Sequence, residues 1–290
     1  MKKILIVTLL AFLLVGCSNS KSTNVSNANE VIWKSNKASY TAGDLYKGLK
    51  SQDYTSILVN KIVNKIGELE GLDMDSFNTD ADANVQEVLD QGGEDYIIYY
   101  YSSVDNYRDA LINSYIMDEL LRVKANEVYD ESKTEYLPYQ AEIAYFDTLE
   151  AAQAVVDSVN GGLHTFPYSS IENGYTKEIA PTVFSDVSEE IPLEVKDYVL
   201  NNGKIGLSDP IETKTVTTDA NGETVETYKY YVINLISTNA DEFKEDFINY
   251  LVANTISSKD VVTEYMNKHN VKFYDQETYE LFKKNYGEFK

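Results

Sequence analysis

Residues 142–162 read Glu142-Ile143-Ala144-Tyr145-Phe146-Asp147-Thr148-Leu149-Glu150-Ala151-Ala152-Gln153-Ala154-Val155-Val156-Asp157-Ser158-Val159-Asn160-Gly161-Gly162. The first five residues form a short strand-like run, and Leu149 to Val159 then carry apolar residues at helical spacing. Gly161-Gly162 is a C-terminal stop, because glycine enters the left-handed backbone region at no Cβ cost. Further on, Pro167, Pro181 and Pro192 mark a loop-rich stretch. Leu193 to Leu200 reads as a short helix ending at Asn201-Asn202-Gly203. Thr215–Thr218 and Tyr228–Ile236 read as two strands around Asn221-Gly222, a strong hairpin signal. The middle of the chain is therefore expected to mix helix with locally paired antiparallel strands.

Both flanks read as helical. Val31-Ile32-Trp33 is a short β-like run, and Thr41 with Asp44 offers a capping box. Leu45 and Leu49 mark one helix. Ile57, Leu58, Ile62, Val63, Ile66 and Leu69 mark a second, ending near Gly71. The acidic stretch Asp73–Asp82 reads as a separator. A helix follows from about Tyr107 to Val128, with Leu111, Tyr115, Ile116, Leu120, Leu121 and Val123 expected on its buried side. From Asp241 the helical period returns in Phe243, Phe247, Tyr250 and Leu251, then in Val261, Val262, Tyr265 and Met266. Val271–Asp275 reads as extended before a last helical turn. The order helix-rich, mixed, helix-rich suggests one domain inserted into another.

Met1-Lys2-Lys3 is a short positive segment, and Ile4–Val15 is an apolar run interrupted only by Thr8. Its twelve residues suit a signal-peptide core and fall short of the ~20 that a spanning helix needs. Leu14-Val15-Gly16-Cys17 looks like a bacterial lipobox, in which small Gly16 fits the cleavage pocket and the Cys17 thiol receives the lipid. Cys17 is the chain's only cysteine. The expected anchor is a lipid bilayer reached through acylated Cys17, on the outer face of the cytoplasmic membrane. Residues 17–30 are Ser/Asn-rich and read as a flexible tether. The chain has 290 residues with 47 Asp and Glu against 25 Lys and Arg, a formal charge of −22. That charge argues against nucleic acid as a partner. One Cys and two His argue against a disulfide scaffold, a structural zinc site or a multi-His centre. Without Lys2 and Lys3 the mature charge is −24.

The order of these segments behind a lipobox resembles the PrsA-type foldase lipoproteins of Gram-positive bacteria, relatives of the periplasmic SurA chaperones. Ala141–Tyr145 stands where that family has its first strand, and Glu150–Phe166 is similar to the helix and Gly-x-x-Phe turn behind it. Lys196–Thr213, with Gly203, Ser208, Asp209 and Pro210, resembles the family's loop before the last strand, and Tyr230–Ile233 matches that strand. Ser258–Asp275 is similar to the closing helix and strand. The resemblance implies an α+β fold: a helical chaperone-like domain built from 31–136 and 240–290, with a parvulin-like α/β domain inserted at 137–239. It implies unfolded or exported polypeptides as partners and leaves a homodimer open; no cofactor is expected, and the Cys and His counts argue against a metal.

The family's isomerases use two His in the prolyl pocket. Here the matching positions are Glu142 and Tyr231. Twisting a peptide bond meets a barrier of ~18–20 kcal/mol, and without the His pair weak or no isomerase activity is expected. Glu142 and Tyr231 are expected to hydrogen-bond to each other across the sheet, while His164 and His269 read as surface residues. The 24 tyrosines allow two readings, AT-rich coding with ordinary core use or a surface that grips varied chains. The Tyr96, Tyr99, Tyr100 and Tyr101 cluster, with too many rings for one helix face, is a candidate for client contact, joined by Phe166. Asp80-x-Asp82-x-Asn84 copies the first ligands of a calcium loop without its later Gly and Glu. A membrane-anchored foldase is thus favoured over an active prolyl isomerase, and a solute-binding lipoprotein of a transporter comes last.

Overall fold

The computed structural model describes residues 28–34, 39–43, 55–167, 174–175, 181–219, 222–274 and 276–288. The signal segment with Cys17, the Asp44 end of the capping box and the Leu45/Leu49 helix lie outside them. In chain order the elements are β1 (Val31–Lys34), β2 (Ser39–Thr41), α1 (Thr55–Glu70), α2 (Met74–Asp90), α3 (Glu94–Tyr101), α4 (Val104–Glu135), β3 (Tyr139–Phe146), α5 (Leu149–Asn160), β4 (Gly174–Tyr175), β5 (Thr182–Phe184), α6 (Leu193–Asn202), β6 (Gly206–Leu207), β7 (Ile211–Thr218), β8 (Thr224–Ser237), α7 (Lys244–Asn254), α8 (Ser258–Lys268) and α9 (Gln276–Tyr286). Helices combine with antiparallel sheet, an α+β fold. The chain divides into two compact units, 1–120 with 257–290 and 121–256.

Among its described residues the regular structure of unit one is helical apart from the β1–β2 pair. Val59, Val63 and Ile66 line the buried side of α1, and Ile112, Ile116 and Leu120 that of α4. Leu111 and Tyr115, expected to be buried on α4, are half-buried. Leu69 lies outside the core, 54% exposed. At Gly67 an added Cβ would stand 3.0 Å from Ile116 Cγ2 and 3.2 Å from Met74 Sδ, so α1 packs closely there and a larger residue would require these side chains to shift. α8 and α9 both pack on α1, burying Val261, Val262, Met266 and Phe282. Residues 271–274 are irregular, and α9 behind them is a helix of eleven residues where a single turn was expected.

The acidic stretch taken as a separator is the first half of α2. Asp73 caps it, its side chain accepting from the Ser76 N–H at 3.0 Å, worth about 1 kcal/mol. Ala81 and Val85 of α2 are buried, Val88 and Leu89 pack beside Val85 on Ile97 and Tyr107, and polar bonds add to this apolar contact. Arg108 on α4 donates to Asp82 at 2.5 Å and to Asn78 at 2.9 Å, and the Tyr107 hydroxyl donates to Asn84 at 2.8 Å. The calcium-like triplet therefore sits on a helix, with Asp82 and Asn84 already engaged.

Unit two holds an antiparallel sheet with β3 and β8 at its centre. β4 and β5 pair with the outer edge of β3, and β6 and β7 with that of β8. Side chains alternate across the strands. On one face Tyr139, Ala141, Ile143, Ile233 and Leu235 pack with Phe184, Ile191 and, from α6, Val195 and Val199. On the other, Ala144, Phe146 and Val232 pack with Ala152, Val155 and Val156 of α5. α6 ends at Gly203, held at φ +43. The unit also takes in residues 121–136 and 240–256, which the sequence reading assigned to the helical segments. Ala125 and Tyr129 of α4 bury with Val183, Phe243, Phe247, Ile248 and Leu251, and Arg122 donates to Glu245 at 2.7 Å and Asn249 at 2.6 Å.

Candidate functional site

Two places carry the residues picked out from the sequence, one in each unit. In unit one the four tyrosines do not share one face of α3, in line with their number: Tyr101 turns inward and the other three turn outward. Ile97 faces inward, fully buried against Val85 and Tyr107, and Tyr101 packs on the same cluster, its ring 4.8 Å from that of Tyr107. Tyr96, Tyr99 and Tyr100, at i, i+3 and i+4, share the opposite face. They are 52%, 80% and 65% exposed. Their rings support one another, Tyr96 on Tyr100 at 4.8 Å and Tyr99 edge-on to Tyr100 at 4.7 Å. Ser102 closes the helix with its backbone in the left-handed region, φ +67, and Asn106 donates to the Tyr101 carbonyl at 3.0 Å. A short helix seated on a buried cluster thus presents three rings to solvent. Such a surface offers broad apolar contact and polar tips at little entropic cost.

In unit two the register separates the two positions matched to the family's histidines. Glu142 lies opposite Asn234 and Tyr231 opposite Tyr145. Glu142 and Tyr231 consequently project from opposite faces of the sheet, and the expected hydrogen bond between them does not form. Glu142 accepts instead from Asn234 Nδ2 at 2.8 Å. Tyr231 packs with the α6 side of the core, its ring 5.6 Å from that of Tyr145. Burial, then the Tyr145 phenol beside it, pushes the Tyr231 phenol up, so it stays protonated.

Asn234 also borders a hollow of about 790 Å³, lined by Val159, Leu163, His164, Phe166 and Leu207 among others. Phe166 is half-buried against the α5 side of the core. His164 is exposed, as expected, with Nδ1 2.7 Å from Ser158 Oγ. His269 is not a plain surface residue: it is 19% exposed, with Nε2 2.6 Å from Glu70. The sequence pointed to Phe166 and His164 separately but not to Asn234, whose place beside Glu142 depends on strand offset. Among the described residues no three His, Cys, Asp or Glu side chains converge to hold a metal.

No family model and no curated protein matches the sequence. Among solved structures there is a likeness. The chain is similar to PrsA structures. The foldase protein PrsA from Streptococcus pneumoniae shares 19% identity over 87% of this chain and 98% of its own, with a TM-score of 0.48. PrsA from Lactococcus lactis shares 18% over 88% and 98%, with a TM-score of 0.44. The peptidylprolyl isomerase PrsA from Bacillus cereus shares 16% over 89% and 99%, with a TM-score of 0.43.

Proposed function

We propose that this chain is a lipid-anchored, extracytoplasmic foldase that holds exported polypeptides before they fold. The observation that carries this reading is the outward face of α3, where Tyr96, Tyr99 and Tyr100 stand exposed on a supported helix. Three large rings facing water lose favourable burial on the surface and regain it against a client. The lipobox ending in Cys17 supports the anchor, and among the described residues no helix is long and apolar enough to cross a membrane. The hollow beside Phe166 is a second apolar contact for a chain already held. We read the protein as a holdase without isomerase chemistry, since Glu142 and Tyr231 face away from each other and Glu142 is engaged by Asn234.

Aggregation of a chemically unfolded protein, followed by light scattering with residues 18–290 added, tests this. Suppression at equimolar ratio is expected, falling by at least half in the triple variant Tyr96→Ser, Tyr99→Ser, Tyr100→Ser. No suppression at excess overturns the foldase reading. In a protease-coupled proline isomerisation assay the expected rate is the uncatalysed one. Acceleration that disappears with Glu142→Ala would replace the holdase reading with an enzymatic one.

A further inference from the structure

The α3 face lies in a stretch with no positive charge. Between Lys65 and Arg108 the sequence has no Lys or Arg, and eleven of its residues are Asp or Glu. Some of these carboxylates are committed within unit one: Glu68 to Lys65, Glu70 to Lys268 and His269, Asp82 to Arg108. Those just ahead of the rings in sequence are paired with no Lys or Arg among the described residues. Glu87 and Asp90, at the end of α2, accept from Gln91 and Gln86. Glu94 and Asp95 open α3, exposed. Their position at a helix N-terminus favours negative charge, but leaves their oxygens facing water. Helical spacing sets Asp95 one turn before Tyr99 and Glu94 one turn before Ile98, which is itself 49% exposed.

Ring faces and carboxylates attract the same group. A Lys or Arg side chain gains from the quadrupole of a tyrosine face and from a neighbouring carboxylate together, and its aliphatic stem covers the rings. We propose that the α3 face selects unfolded segments in which apolar residues are interleaved with Lys or Arg. This rests on the foldase reading and names its substrate class. Charge decides against the other occupants: a second mature copy carries the same −24, and an anionic bilayer surface is repelled in the same way.

The test uses residues 18–290 and three labelled, unstructured peptides that share their apolar residues and differ at three positions, all Lys, all Ser or all Glu. Fluorescence anisotropy is expected to give the Lys peptide about tenfold tighter binding than the Ser peptide, about 1.4 kcal/mol, with the Glu peptide weakest. The preference should shrink as salt rises from about 50 mM to about 0.5 M, where screening acts within a few ångströms. Tyr96→Ser with Tyr99→Ser and Tyr100→Ser should abolish binding of the Lys peptide. Glu87→Gln with Asp90→Asn should reduce the preference while keeping the rings. These two carboxylates sit at a helix C-terminus, where their charge is unfavourable, so the variant retains its fold by circular dichroism. Equal affinity for all three peptides, or a preference that neither variant alters, overturns the inference. If aggregation is still suppressed in that case, the foldase reading stands without it. If neither suppression nor peptide binding occurs, both fall.

Discussion

Glu70, at the end of α1, accepts from Lys268 Nζ and pairs with His269 Nε2, each at 2.6 Å and 198 and 199 residues away in sequence. Its side chain is 17% exposed. Burial by itself raises its pKa, but the hydrogen bonds from Lys268 and His269 outweigh that and hold the carboxyl below the usual range. A depressed carboxylate contributes stability that is fully present above its unfolded value, near 4.5, and is lost as pH falls through the folded one. Glu70→Gln is therefore expected to cost about 1–2 kcal/mol at pH 7, with the gap to wild type closing below about pH 4. Thermal melts at neutral and acid pH check this, and an equal gap at both would refute the assignment. Nothing local in the sequence marks His269 as other than a surface residue, because its partner lies on a distant helix. Among Tyr96, Tyr99, Tyr100 and Tyr101 the sequence alone does not show that buried Ile97 fixes which rings face outward.

Among the elements, β3 and β8 carry the sharpest difference between reading and structure. Both were recognisable as strands from their own residues. Alternation along each gives two sets of side chains, but which set of one strand joins which set of the other depends on the offset, and a shift of one residue reverses it. The pairing of Glu142 with Asn234 is thus a tertiary fact. A double-mutant cycle should find about 0.5–1.5 kcal/mol of coupling between Glu142 and Asn234, and within about 0.3–0.5 kcal/mol of none between Glu142 and Tyr231. Substantial coupling in the second pair would mean a different register. α2 escaped notice for another reason. Asp and Asn weaken a helix interior, and its apolar residues gather at the far end, where Val85, Val88 and Leu89 pack on Ile97 and Tyr107; the Asp73 cap and the Arg108 bonds secure the acidic first half. α5 and α6 were legible because each has a full apolar side and a glycine beyond its end.

For the whole molecule, anchor and charge act together. A single acyl chain binds membranes only marginally and two or more bind stably, so Cys17→Ser is expected to move the protein from the membrane pellet to the soluble extracellular fraction, read by immunoblot. Retention in the pellet would contradict a lipid anchor. The helix–mixed–helix order was visible in the sequence, whereas the division at 120/121 and 256/257 was not, because the burial of Ala125, Tyr129, Phe247 and Leu251 in one cluster leaves no local mark. That division governs the order in which the chain is able to fold. Unit two is one continuous run of 136 residues and has all its parts once residue 256 has emerged. Unit one is interrupted, and Val59, Val63 and Ile66 wait for Val262, Met266 and Phe282 across the whole of that insertion. The entropy of closing so long a loop rises only slowly with its length, so the cost is mainly one of time, during which apolar surface of α1 stays uncovered. A chain that we read as a shelter for others in transit is therefore itself exposed until its last thirty-four residues arrive.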